Sequence, residues 1–80
     1  DRTGIERLLR LMLKGKPLDF DPDAAVPALA ARAAGRSGRD LRGWVEAAEH
    51  RAVARAIAAG DPDAVAIGVE DFHIGPGDGT

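Results

Sequence analysis

The chain has no cysteine and no tyrosine, and only one tryptophan and two phenylalanines among 80 residues. Without cysteine there is no disulfide framework, no thiolate metal site and no cysteine nucleophile. With so few aromatics the core has to be aliphatic. Much of the 45% hydrophobic content is alanine, which packs helices closely but buries little area. A chain of this length makes one small domain with a thin core and modest stability on its own. No apolar run approaches the roughly 20 residues of a membrane-spanning helix, so no membrane partner is expected. The formal net charge is −2, so no global basic field argues for nucleic acid. Asp1 is not a natural start and no signal-peptide pattern follows it. The expectation is a segment cut from a longer, cytoplasmic protein.

What is present is helical periodicity. Thr3-Gly4-Ile5-Glu6 has the form of a capping box, a hydroxyl with Glu three residues later. Ile5, Leu8, Leu9, Met12 and Leu13 then recur at helical spacing. Gly15 is a stop with Pro17 just beyond it, which predicts a first helix over residues 4–14. Phe20 is the anchor of the connector that follows. Asp21-Pro22-Asp23 supplies caps for a short second helix. Pro27 fits only a first helical turn, so that helix is expected to begin near residues 24–26 and to end at Gly35. Its apolar face is Val26, Leu29, Ala30 and Ala33.

A third and longest helix is expected over residues 38–59, with Ser37 as cap, Asp40 completing a capping box and Gly60 as stop. Leu41, Trp44, Val45, Ala48, Ala52, Ala56 and Ala59 form its apolar stripe. Trp44 should be a core anchor with a partner for its N–H. Val65, Ile67 and Val69 alternate like a short extended segment. Val69-Glu70-Asp71-Phe72 starts a last helical turn that tucks Phe72 into the core. The fold class is therefore all-α: a small bundle of three main helices plus a short C-terminal turn, with a compact domain over residues 1–74. A Gly/Pro-rich tail over residues 75–80 is expected to be disordered.

The most informative stretch is Gly35-Arg36-Ser37-Gly38-Arg39-Asp40-Leu41. It places Arg39 in the first turn of the long helix, beside the positive end of the helix dipole, where a cation is poorly placed for stability. An arginine there makes better sense if an anion comes to meet it. Exposed N–H groups at a helix start bind phosphate for the same electrostatic reason.

The order of these parts resembles the C-terminal helical lid of AAA ATPases. This chain runs as a helix with paired Leu, a loop with Asp-x-Asp, a short helix, G-x-S-G-x-D-L, a long Ala-rich helix and a hydrophobic-E-D-F box, and in that lid the turn commonly reads G-[FY]-S-G-A-D-L. The resemblance covers about residues 1–72. It implies a lid that closes over ATP bound to a large ATPase domain and couples hydrolysis to subunit motion in a homo-hexamer. In that assembly it packs on the large domain of its own chain and of a neighbouring subunit. Arg39 then stands at the sensor-2 position, whose arginine in wider AAA+ relatives reaches the ATP γ-phosphate. The resemblance puts Gly38 beside the nucleotide, Leu8 against adenine and Met12 near the ribose. Met12 stands where many members have histidine and Ile5 where arginine is frequent, and the Gly-rich tail replaces a fourth helix. No G-x-x-x-x-G-K-[ST] loop and no acidic magnesium strand is present in the 80 residues. Magnesium and the hydrolytic machinery would therefore belong to the large domain, and these residues alone are not expected to be catalytic.

Two other readings compete. Arg32, Arg36, Arg39 and Arg42 cluster about the junction of the second and third helices, an outline shared with DNA-binding helix-turn-helix modules. Against it stand the acidic net charge, Glu46 and Glu49 further along, and the length of the third helix. A plain helical interaction module, docking a partner on its Ala-rich stripe, is the third reading. Ser37 is explained fully as a cap. His50 and His73 are too few to indicate a metal site. Asp19, Asp21 and Asp23 alternate like calcium ligands but lack the glycine and closing Glu of an EF-hand.

Overall fold

The computed structural model describes residues 1–73. The expected tail at residues 75–80, and residue 74 of the expected domain, lie outside the described residues. The described chain is all-α, with helices α1 (Arg2–Leu13), α2 (Pro22–Arg32) and α3 (Gly38–Ala58) and a 3-10 turn at Val69–Asp71.

Helix α1 starts earlier than the Thr3 box predicts. Asp1 is its cap, and its carboxylate accepts from the Gly4 N–H at 2.7 Å. An ionised carboxylate at the positive end of the helix is the better acceptor, and it draws Thr3 into the first turn. Ile5, Leu9 and Leu13 form the buried line of α1, while Leu8 and Leu11 are exposed and Met12 is half-buried against the core.

Helix α2 also begins one turn early. Asp21 accepts from the Asp23 N–H at 3.0 Å, and Pro22 holds the first helical position with its φ already set. Pro27 therefore lies inside the helix rather than in its first turn. It is tolerated because both Pro27 and Asp23, whose carbonyl loses the bond, are exposed, so water can reach the unpaired group. Val26, Leu29, Ala30 and Ala33 are buried as predicted. The helix ends at Arg32, and the turn to α3 passes through Gly35 at φ 83°.

Ser37 and Asp40 form the predicted capping box of α3: the Asp40 N–H donates to Ser37 Oγ at 3.2 Å, and the Ser37 N–H to Asp40 Oδ2 at 3.5 Å. Six of the seven stripe residues are buried, and Ala59, the C-cap, is exposed. The Gly60 N–H donates to the Ile57 carbonyl at 2.9 Å, and Gly60, at φ 79°, turns the chain so that the Asp61 N–H reaches the Ala56 carbonyl at 2.9 Å. This second bond requires a left-handed residue at this point, which glycine supplies without strain.

The C-terminal segment returns to the α1–α2 connector. The Ile67 N–H donates to the Pro17 carbonyl at 2.8 Å, and the Asp19 N–H to that of Ile67 at 2.7 Å. This is a single parallel bridge between Leu18 and Ile67, inside the segment expected to be extended; Gly68 is still extended, and only Val69 of the expected residues departs from it. The chain then turns after Gly68 into the 3-10 turn, which carries Phe72 inward until only 2% of it is exposed. Phe72 meets Trp44 edge-on at 5.0 Å and Phe20 at 6.5 Å. Phe20 is thus the half-buried anchor the sequence implies.

Trp44 corrects one expectation. It is 4% exposed, and its Nε1–H has no acceptor among the described residues. An unsatisfied buried donor costs about 1–3 kcal/mol, offset here by the ring's packing. Trp44→Phe should therefore stay within about 1 kcal/mol of the parent in urea unfolding, whereas Trp44→Ala should cost about 3–5 kcal/mol. A Trp44→Phe loss above about 2 kcal/mol would contradict an unpartnered indole N–H.

Candidate functional site

The capping box fixes the start of α3 and leaves Gly38 and Arg39 in solvent. Gly38 is the first helical residue, and a Cβ built on it would meet nothing within 4 Å. Arg39 is exposed, and its side chain makes no hydrogen bond or ion pair with any other described residue. A cation thus stands free next to a set of unpaired helix N–H groups, an arrangement electrostatically suited to an anion.

Met12 does not line a pocket with these two residues. It shares a depression of about 150 Å³ with Lys16, Arg42, Val45 and Glu46, one turn further along α3. Lys16 closes the far side by donating to Glu49 at 2.9 Å. Leu8 lies one turn before Met12 on α1, at 40% exposure. The fold therefore brings Met12 beside Arg42, with Leu8 exposed on the same helix and Gly38–Arg39 at the adjoining end of α3.

The arginine cluster at the helix junction is not one surface. Arg32 donates to the Phe72 carbonyl at 2.7 Å and also to the His73 carbonyl, and its guanidinium lies 5.4 Å from the Trp44 ring centroid. It clamps the C-terminal segment onto the core. Asp21 and Asp23 of the connector are likewise engaged, Asp21 as a cap and Asp23 in an ion pair with Arg10. Among the described residues no group of three or more His, Asp or Glu side chains could hold a metal ion.

Two features escaped sequence reasoning. The first is Asp71, which the E-D-F box marks but whose role only the fold reveals. Its side chain is buried and receives a two-pronged hydrogen bond from Arg55, at 2.9 Å to Oδ2 and through a second nitrogen to Oδ1. The Gly68 N–H donates to the same Oδ2 at 2.8 Å, Arg51 donates to the Asp71 carbonyl at 2.8 Å, and Arg55 also reaches the Ala66 carbonyl at 3.0 Å. The Arg55 bond holds the Asp71 carboxyl below the ordinary carboxylate range, burial opposes it, and the Gly68 N–H adds to the lowering. The second is a basic stripe on α1, Arg7, Arg10 and Lys14, around the exposed Leu11. Its signal in the sequence is the i, i+3, i+4, i+7 spacing of these four residues.

The Asp71 arrangement makes a pH prediction. Its folded pKa is depressed, so its contribution to stability is present above the unfolded value of about 3.9 and is lost as pH falls through the folded pKa. Asp71→Asn should lower the melting temperature at pH 7 and reduce the further fall between pH 4 and pH 2. An acid transition unchanged by the substitution would contradict the assignment.

Comparison of the chain with protein-family models, with curated proteins and with solved structures gives no match. Among the described residues no helix is long and apolar enough to cross a membrane.

Proposed function

We propose that this chain is the C-terminal helical lid of an AAA-type ATPase, working in the cytoplasm as part of a hexamer. In this reading it closes over ATP held with magnesium by the large domain. The observation that carries the reading is the Gly38–Arg39 step at a capped helix start, with Arg39 exposed and unpaired among the described residues. Arg39 approaches the γ-phosphate, and Gly38 lets the helix backbone come close to the nucleotide. Leu8, exposed on α1, and the half-buried Met12 one turn on form the apolar wall for base and sugar. Loss of the γ-phosphate on hydrolysis removes the Arg39 contact, and the lid rotates against the neighbouring subunit. The magnesium site and the phosphate-binding loop belong to the large domain, so these residues supply one cation and part of a wall.

The helix-turn-helix reading has less support. Of its four arginines, Arg32 is held on the Phe72 and His73 carbonyls and over Trp44.

Arg39→Ala in the full-length parent should lower ATP turnover about 100- to 1,000-fold, the scale of one lost charge-stabilising donor. The circular dichroism of the 80-residue chain should be unchanged. Unaltered turnover would remove Arg39 from the mechanism. Salt-sensitive binding of duplex DNA by the 80 residues, lost in Arg39→Ala, would replace the lid reading with the DNA-binding one.

A further inference from the structure

The stripe on α1 borders a cavity of about 350 Å³ between that helix, the connector and the first turn of α2. Leu13, Leu18 and Pro22 line its apolar side, and Leu11 stands at its edge with 63% of its surface in solvent. Arg7, Arg10 and Lys14 form the rim on the α1 side. Arg10 is paired with Asp23, whereas Arg7 and Lys14 have no ion-pair partner among the described residues. These two cations are seven residues apart on one helix face, about 10 Å along the axis, with Leu11 between them.

We propose that this groove docks an acidic helical segment of a partner protein. The segment presents one large apolar side chain to the Leu11–Leu18 hollow and two carboxylates, seven residues apart, to Arg7 and Lys14. Charge complementarity selects the partner's sign: the chain as a whole is acidic at −2, yet this rim is cationic. Concavity selects its shape. A helix lays a ridge of side chains into a groove, and carboxylates at seven-residue spacing repeat the spacing of the two cations. A flat bilayer would touch Leu11 but could not reach Leu13 and Pro22 in the hollow. The groove contains none of Gly38, Arg39, Leu8 or Met12, so the proposal stands apart from the nucleotide reading.

The test uses the 80-residue chain, labelled with nitrogen-15, and a capped alanine-based helical peptide. The peptide carries one Leu flanked by two Glu residues seven positions apart. A second peptide has Lys at both Glu positions. The proposal expects saturable binding of the Glu peptide with amide shifts confined to residues 7–23, and affinity about tenfold weaker for the Lys peptide. The double variant Arg7→Glu with Lys14→Glu should reverse that preference while its circular dichroism stays that of the parent, because both side chains are on the surface. Leu11→Ala should weaken both peptides' binding. Equal affinity for the two peptides, no binding, or shifts centred elsewhere would overturn the proposal. So would Leu11-dependent self-association or binding to phosphatidylserine vesicles in the absence of peptide binding.

Discussion

The fold closes through one buried carboxylate. Asp71 gathers Arg55, the Gly68 N–H and, through its carbonyl, Arg51. That set of bonds turns the chain from the Leu18–Ile67 bridge into the 3-10 turn and aims Phe72 at Trp44 and Phe20. Arg32 holds the same segment from the other side, through the Phe72 and His73 carbonyls. Among the described residues, five of the fifteen buried apolar ones are alanines, which bury little area, so the aromatic contact that Phe72 makes with Trp44 is a large share of the core. A buried carboxylate left without Arg55 would be costly, since desolvation of a charge is offset only when it is paired and hydrogen-bonded. Docking of the C-terminal segment and formation of the ion pair are therefore one event.

Much of the architecture is legible in the sequence because local chemistry and burial agree. Ser37 and Asp40 cap α3 as their spacing demands, Gly60 ends it, and the Leu41-to-Ala56 stripe is buried. The misreadings arise where two local signals compete. Thr3 with Glu6 has the form of a box, but the Asp1 carboxylate reaches Gly4 first. Pro27 reads as a helix start, but Asp21 with Pro22 makes a stronger one, and solvent at Asp23 makes the interior proline tolerable. Val65, Ile67 and Val69 alternate as a strand would, but only Ile67 pairs, and Val69 already belongs to the turn that Asp71 holds. The pairing of Asp71 with Arg55 spans 16 residues, a distance at which neither helical nor strand periodicity carries a signal.

The two surfaces proposed here differ in how far the sequence reveals them. Gly38 and Arg39 are marked by their place behind a helix cap, and the exposure of both agrees with that mark. The α1 groove is invisible to periodicity alone. Leu11 looks like one more apolar residue of a Leu-rich helix until the packing of Ile5, Leu9 and Leu13 sends it outward. Arg32 shows the opposite case: it reads as part of a basic surface cluster, and its guanidinium clamps the C-terminal segment.

The central claim, that this domain is the lid of an AAA-type ATPase, is tested most directly by sequencing the roughly 200 codons upstream of Asp1 in its gene, a typical domain's length. A lid of this kind follows a Gly-rich phosphate loop ending in Gly-Lys-Ser or Gly-Lys-Thr and a strand carrying the acidic magnesium ligands, and both are expected there. An upstream region with neither motif would contradict the claim.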